Sequence, residues 1–240
     1  MGRSGGRLLT SLLILAAIAA LAGFAWPRIT EWAASGAPGN SLLPASADDI
    51  TGARDALAGL AVVDRPPPAP DYRRAAFGRA WLDVDGNGCN QRDDVLLRDL
   101  LKDRPFRTAR QRDCPHDVLA GTWIDPYTGA EIVLTDAKQQ RQAQSVQIDH
   151  VVPLLAAWRY GARDWDDERR RLFANDLANL VAVGGEANQA KGGSDAAQWR
   201  PIRPAQCGYA VRYVLVKQAY GLATDPTESE ALRQMLATCP

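Results

Sequence analysis

The sequence predicts an α+β fold with more helix than strand. Short runs rich in β-branched residues, such as 146–152 and 179–183, are typical of strands, whereas stretches with apolar residues at helical spacing, such as 207–221, are typical of helices. The chain has 240 residues, 46% hydrophobic and 23% charged, which suits one globular domain with extensions. The formal net charge is zero, so no global basic field indicates a nucleic-acid partner, although local patches decide such binding.

The N-terminus has the pattern of an export signal. Arg3 and Arg7 precede an uncharged apolar run from Leu8 to Trp26, and "ALA" at 20–22 fits a small-residue cleavage site. The run is also long enough to span a bilayer as an uncleaved helix. Residues 1–26 are therefore predicted to be a signal peptide or a signal anchor. In both cases the rest of the chain is expected outside the cytoplasm, either secreted or anchored to the membrane.

The four cysteines fit an oxidising compartment, where an even number indicates disulfides. Four cysteines allow three pairings, and proximity in sequence favours Cys89–Cys114 together with Cys207–Cys239. The sequence contains no CxxC motif, so a zinc knuckle is not expected.

Residues 27–70 are rich in Pro, Gly and Ala and end in "DRPPPAP", a stiff extended segment. They are interpreted as a linker, with a short helix or strand at 55–63 as an internal option. The folded domain is expected to cover residues 71–240.

Within the domain, local signals predict the elements in order. "DPYTGAEIVL" reads as a turn that ends at Gly129 and leads into a strand. Gly221 closes one helix near the C-terminus, and Asp225 before Pro226 starts the last helix. The remaining predicted elements are helices at 93–101, 154–160 and 166–174, strands at 146–152 and 179–183, and a helix in "GGEANQAKGG".

The stretch "VQIDHVVPL" places an acid and one of the two histidines of the chain, Asp149 and His150, side by side in a predicted strand. Burying such groups without partners is costly, so the pair is either a satisfied structural detail or does chemistry. Neighbouring strand residues point to opposite faces. Both can serve one site only if the strand bends or ends there, and Pro153 is consistent with that.

Further along the chain come "NL" at Asn179 and "NQAK" at Asn188–Lys191. The ordered set over 146–192 resembles the HNH endonuclease motif in its His-Asn-Asn form. "FGRAWLDVDGNGCNQRDDVLLRDL", "DPYTG" and "FANDLANLVAV" extend the likeness over about Tyr72 to Cys239. Over that length the chain resembles secreted HNH nucleases of the DUF1524 group, which also forms the C-terminal part of modification-dependent restriction enzymes of the GmrSD type.

The resemblance implies a ββα-metal core embedded in additional helices and braced by disulfides. It implies that His150 acts as general base, since an imidazole suits proton transfer near neutral pH. Asp149 and Asn188 would hold Mg²⁺ or Mn²⁺ through hard oxygen ligands, which also disfavours Zn²⁺. Asn179 would position the site, and Lys191 would contact phosphate.

The implied partner is DNA, cleaved without sequence specificity to 5′-phosphate and 3′-hydroxyl ends; RNA is not excluded. The membrane is involved only through the N-terminal segment if that stays uncleaved, and no protein partner is implied. Asn175 is either a second candidate for the middle asparagine or a helix-ending residue, and the second interpretation is preferred. His116 is interpreted as a loop residue, and the run Arg169–Arg171 as a solvated helix face of which one or two members meet phosphates.

A second candidate metal site lies in "DVDGNGCNQRDD", from Asp83 to Asp94. Asp83, Asp85 and Asn87 stand at positions one, three and five of a calcium loop, with Gly88 at six and Asp94 at twelve. The twelfth ligand is usually Glu, and the shorter Asp would lower the affinity for Ca²⁺. The alternative is an Asp/Asn/Gly turn tied down by a disulfide through Cys89.

Two rival functions remain open from the sequence. One is an extracellular calcium-stabilised binding module whose nuclease-like motif is inactive, which predicts calcium-dependent stability without cleavage. The other is a phosphodiesterase that uses the same residues but does not cleave nucleic acid.

Overall fold

The computed structural model describes Leu43 and residues 45–240, and the predicted signal segment at 1–26 lies outside the described residues. The described part is a mixed α+β structure with small antiparallel sheets, as the sequence predicts. Its helices are α1 Ala47–Gly59, α2 Gln91–Asp99, α3 Gln140–Ala143, α4 Leu154–Arg159, α5 Asp167–Asn175, α6 Gly185–Lys191, α7 Gln206–Tyr220 and α8 Pro226–Leu236. Single 3₁₀ turns occur at Arg74–Phe77, Ala162–Asp164 and Arg203–Ala205.

The ends of several helices follow from their sequence. The Asn90 side chain caps α2, and Asp225 caps α8 by accepting bonds from the backbone N–H groups of Thr227 and Glu228. Gly221 ends α7, as the sequence predicts, and it has the left-handed conformation that is common for glycine at the end of a helix. Among the described helices, none combines the length and hydrophobicity needed to cross a membrane.

The first sheet has three antiparallel strands in the order β1-β2-β3, namely Arg107–Gln111, Cys114–Ile124 and Glu131–Leu134. The sequence predicts only β3. The two disulfides are Cys89–Cys114, which ties the chain before α2 to the start of β2, and Cys207–Cys239, which ties the first turn of α7 to the C-terminus. The pairing favoured by sequence proximity is therefore confirmed.

The second sheet pairs β4 Val146–His150 with β5 Leu180–Gly184 in antiparallel register, with His150 opposite Leu180 and Val146 opposite Gly184. Helix α6 follows β5 directly and packs against both strands, which gives a strand–strand–helix order. Apolar side chains of α2 and of both sheets share one core, with Trp123 fully buried and its indole N–H donating to the Leu96 carbonyl at 2.9 Å. This core fixes the face of β4 that contains Val146 and Ile148.

Helix α1 lies inside the segment interpreted as a linker. Ser46 and Asp49 form a capping box at its start, and Ile50, Ala53 and Leu57 are buried on the face that packs against α7. The backbone N–H of Thr224 then donates to the Ala61 carbonyl at 2.8 Å. Within the predicted linker 27–70, residues 47–63 therefore belong to the packed structure. The helix is not predicted from the sequence because most of its residues are small, as they are in an Ala- and Gly-rich linker.

Candidate active site at the end of strand β4

Strand β4 ends at His150, and the two neighbouring side chains of interest point to opposite faces of it. Asp149 faces Tyr127 and Lys191, whereas His150 faces Ala174 and Trp81. The strand predicted over 146–152 ends two residues earlier, at His150, which meets the condition that the strand end at this pair. The structure therefore brings the acid and the imidazole to one strand end but places them on its two sides.

Asn179 holds the turn that follows β4. Its side-chain oxygen accepts a bond from the Val152 N–H at 2.8 Å, and its amide donates to the Val152 carbonyl at 3.2 Å. The backbone carbonyl of Asn179 accepts from the Val151 N–H at 2.8 Å. The Asn179 side chain is fully buried and bonds both the N–H and the carbonyl of Val152. It therefore orients the chain, and both of its polar atoms are already engaged.

Two arginines hold the segment in which Asn179 lies. Arg98 and Arg212 both donate to the carbonyls of Leu177 and Leu180, and Arg212 also donates to Ala178. The segment that positions the turn after β4 is therefore held from α2 and from α7. The sequence alone shows no such pairing, because the partners are backbone carbonyls.

The His150 ring has a defined tautomer. Its Nε2 lies 2.8 Å from the carbonyl oxygen of Ala174, which can only accept, so Nε2 carries the proton and Nδ1 of the neutral ring is the acceptor. Burial lowers the pKa of His150 to about 4, against the opposing effects of the Ala174 carbonyl and of Asp149. The imidazole is thus neutral at pH 7. The Trp81 ring stacks beside it at 13° with a centroid distance of 6.4 Å.

Asp149 is bonded through one oxygen. Its Oδ2 accepts from the Tyr127 hydroxyl at 2.7 Å and pairs with the Lys191 ammonium at 2.8 Å. Lys191 is fully buried, and its ammonium also donates to the His150 carbonyl at 2.8 Å. Burial lowers the pKa of Lys191, and the Asp149 carboxylate opposes that shift. Lys191 therefore braces the strand end from a fully buried position, and its contact with phosphate stays a prediction.

Asn188 reaches the same face of β4 from α6. Its amide nitrogen donates at 2.8 Å to the side-chain oxygen of Gln147, which lies two residues before Asp149 and so on the same side of the strand. Among the described residues, neither Oδ1 of Asp149 nor Oδ1 of Asn188 accepts a hydrogen bond. The face thus offers one carboxylate and one amide oxygen, a donor set that suits Mg²⁺ or Mn²⁺.

Tyr127 and Gln147 contact the predicted residues Asp149 and Asn188, but no motif in the sequence predicts a role for either. Tyr127 lies in the "DPYTG" stretch, which forms part of the resemblance to the nuclease family, and this is the feature of the sequence that could have indicated its role. Gln147 had only its position two residues before Asp149 as a signal.

On the other face, His150 lines a small cleft that is partly open to solvent. The cleft is also lined by Arg74, Phe77, Arg79, Trp81 and Leu154. Most of these residues lie in the stretch 74–81 that precedes the calcium-loop sequence, and the sequence analysis assigned them no role.

The loop from Asp83 to Asp94 brings its four candidate ligands together. The Asp83 carboxylate accepts from the backbone N–H groups of Gly86, Asn87 and Gly88. The side-chain amide of Asn87 lies 3.3 Å from an oxygen of Asp85 and 3.2 Å from both oxygens of Asp94. Burial and the nearby charge of Asp94 raise the pKa of Asp85.

His116 lies in β2, so its interpretation as a loop residue is wrong; the strand is stabilised by pairing with β1, which local sequence does not show. Its Nε2 is 3.1 Å from Asp94 Oδ1. Its Nδ1 lies 3.7 Å from the Cys89 sulfur, within a cluster of Cys89, Cys114 and His116 whose two sulfurs are joined in a disulfide. His116 therefore braces the loop against β2.

Asn175 is the last residue of α5, which agrees with the preferred interpretation of a helix-ending residue. Its side chain accepts from the Leu82 N–H at 3.0 Å and donates to the Arg171 carbonyl at 2.9 Å. The run Arg169–Arg171 bonds within the protein: Arg169 to the Tyr220 carbonyl, Arg170 to the Ala76 carbonyl and Arg171 to Glu168.

Comparison with known proteins gives two matches. A family profile described as "GmrSD restriction endonucleases, C-terminal domain" matches residues 90–235. An "Uncharacterized secreted protein" of Arthroderma benhamiae is 37% identical over 200 residues, which cover 82% of this chain and 89% of that protein. No solved structure matches the chain.

Proposed function

We propose that this chain, which belongs to the family of GmrSD restriction endonuclease C-terminal domains, is an exported metal-dependent endonuclease that hydrolyses phosphodiester bonds in DNA. The family supports a nuclease and a nucleic-acid substrate. The similarity to a protein named as secreted supports export, and both disulfides suit an oxidising compartment.

The observation that carries the proposal is the state of His150. The ring is neutral, its Nε2–H is fixed by the Ala174 carbonyl, and its Nδ1 accepts no hydrogen bond from the described residues. A general base for hydrolysis needs a neutral imidazole with a defined free nitrogen. We infer that Nδ1 of His150 takes a proton from the attacking water.

We further propose that β4, β5 and α6 form a ββα-metal core in which Asp149 and Asn188 hold Mg²⁺ or Mn²⁺. Their Oδ1 atoms are the oxygens without hydrogen bonds among the described residues. When bound, such a cation would offset charge on the phosphate and stabilise the departing 3′ oxygen. Since Asp149 and His150 point to opposite faces, the proposal requires that phosphate to lie at the end of β4, where the two faces meet. The products expected from the family resemblance carry 5′-phosphate and 3′-hydroxyl groups.

The other residues keep this strand end in place. Asn179 fixes the turn after His150, while Lys191 and Tyr127 fix the Asp149 carboxylate. These residues are positioning residues in the proposal. Lys191 balances the charge of Asp149.

The test is plasmid nicking by the oxidised full chain in EDTA, Mg²⁺, Mn²⁺ or Ca²⁺. We expect cleavage with Mg²⁺ or Mn²⁺, none in EDTA, and loss of cleavage in His150→Ala. The matched control is His116→Ala, which removes the other histidine and should keep cleavage. Full activity in a folded His150→Ala protein would overturn the assignment of the base.

Calcium binding by the loop Asp83–Asp94 stays a prediction. Asp85 and Asp94 lie together at the Asn87 amide, whose oxygen accepts from the Cys89 N–H, so these contacts also fit the alternative of a disulfide-tied turn. The rival calcium-stabilised binding module differs in the nicking assay, where it gives no cleavage under any condition. Stabilisation by Ca²⁺ together with metal-dependent nicking would fit an enzyme that has a structural calcium site.

A further inference from the structure

We propose that Arg74 and Arg79 form a phosphate-binding subsite, which holds a backbone phosphate of the nucleic acid next to the bond that is cut. The inference rests on the proposed function and names the part of the substrate that this cleft holds. It assigns a role to the segment 74–81, which precedes the family-matched residues 90–235.

The first observation is that Arg74 and Arg79 line the same cleft as His150 and have no partner among the described residues. Arg74 and Arg79 are exposed, and neither makes a hydrogen bond or ion pair with any described residue. Arg163 and Arg170 do have partners, Asp71 and the Ala76 carbonyl, whereas the neighbouring Arg73 is also exposed and without a partner among the described residues. Two unpaired cations beside the proposed base are therefore available to an anion.

The second observation is that the stretch from Phe77 to Leu82, which contains Arg79, is held at both ends. Phe77 is buried between the rings of Trp158 and Phe173, with centroid distances of 6.2 and 6.1 Å. After the cleft residues, the Leu82 N–H donates to Asn175 at 3.0 Å. Because this stretch is already fixed at each end, its backbone loses little conformational entropy when an anion binds to its charged side chains.

The third observation is the backbone of Trp81, which has φ of +58°. A bulky residue in this region is strained, and such strain persists where the surroundings impose it, commonly at functional sites. Here the strained residue stacks its ring on His150. The chain between Phe77 and Leu82 is thereby directed along the cleft, with Arg79 on it.

The chemistry of the cleft selects a phosphodiester. A guanidinium group is planar, always charged and matched to two phosphate oxygens at once. The chain has no net charge, so binding depends on local cations of this kind. Contacts to backbone phosphate position a substrate without reading its bases, which agrees with a nonspecific nuclease.

The experiment measures binding of a duplex oligonucleotide to the full chain at several NaCl concentrations, with Mg²⁺ present. His150→Ala is the background so that the duplex stays intact. Arg74→Ala and Arg79→Ala should each weaken binding and lower the slope of log K against log salt by about 0.9, which corresponds to one phosphate contact. Arg79→Lys should keep the slope but bind more weakly, because the charge remains and the two-point contact is lost.

The matched control is Arg110→Ala. Arg110 is also exposed and unpaired among the described residues, but it lies in β1 and does not line the cleft. It should leave the slope unchanged. The subsite is overturned if Arg74→Ala and Arg79→Ala show the same salt slope as the His150→Ala background. It is also overturned if that background protein binds no duplex.

The two proposals fail in different ways. A chain that nicks plasmid but shows no change of slope in Arg74→Ala and Arg79→Ala is a nuclease without this subsite. A chain that never nicks, yet loses slope in both arginine variants, has the subsite and lacks the proposed activity.

Discussion

The two acidic regions of the molecule balance their charge in different ways. Asp149 lies buried at the end of β4 with a fully buried ammonium, that of Lys191, against it. In the loop Asp83–Asp94, the carboxylates of Asp85 and Asp94 share the neutral Asn87 amide, and Asp94 also contacts His116. In the first region the ion pair already balances the charge of the carboxylate, whereas the second collects negative charge that a cation would offset. Folding at β4 should therefore be independent of metal, and stability of the loop should depend on it.

Removal of the buried cation is the largest expected perturbation. Lys191→Met leaves the Asp149 charge buried without its partner, and we expect the free energy of unfolding to fall by about 3–5 kcal/mol. Urea unfolding measures this, with Arg233→Ala as control because its pair with Glu230 is exposed and contributes about 0–1 kcal/mol. The double variant Asp149→Asn with Lys191→Met should recover part of the loss. A loss below 1 kcal/mol would show that β4 does not depend on the ion pair.

Tyr127→Phe tests the other contact of Asp149. The ring stays, but the hydrogen bond from the hydroxyl to the carboxylate is lost, and we expect a loss of about 2 kcal/mol in unfolding free energy. Tyr72→Phe serves as the control, because no hydrogen bond of its hydroxyl occurs among the described residues. Equal stability of Tyr127→Phe and the wild type would mean that Lys191 alone compensates Asp149.

Added Ca²⁺ tests the loop. A bound ion stabilises the folded chain according to its concentration, by about 2.7 kcal/mol at a hundred times the dissociation constant. We expect Tm to rise with Ca²⁺ in the wild type and to stay constant in Asp94→Asn. Asp113→Asn, an exposed acid outside the loop, is the control and should respond like the wild type. A constant Tm in the wild type would favour the disulfide-tied turn.

The smallest effect is expected for Asp85→Asn in EDTA. Its carboxylate lies close to Asp94, so removal of its charge relieves repulsion, and we expect a gain of up to about 0.5 kcal/mol. Urea unfolding at low salt measures this. A clear loss of stability would show that the carboxylate is needed for the turn itself, and the comparison between the two regions would then fail.

The sequence predicts the β4–β5–α6 unit well because its signals are local. Apolar runs surround Asp149 and Asn179, and the glycines before Glu186 start a helix. The burial of Lys191 is not predictable in this way, since lysine is normally exposed and its partner Asp149 is distant in sequence.

Strands β1 and β2 are missed for a related reason. Their sequences are mixed and charged, and they are stabilised by pairing with each other and by the disulfide at Cys114. Helix α1 has a capping box but buries mostly small residues, so its composition resembles a linker until its contact with α7 is known. The sequence identifies candidate residues only where they belong to a motif. Arg74 and Arg79 belong to none, and they become candidates because they line the cleft beside His150.

The two disulfides link the stability of the chain to the compartment in which it resides. They close segments with sequence separations of 25 and 32 residues. Each restricts the unfolded chain and is expected to contribute about 3.5 kcal/mol. A copy held in a reducing cytosol lacks both crosslinks and unfolds more readily than an exported one. On the proposed function, the producing cell's own DNA thus meets the least stable form of the enzyme.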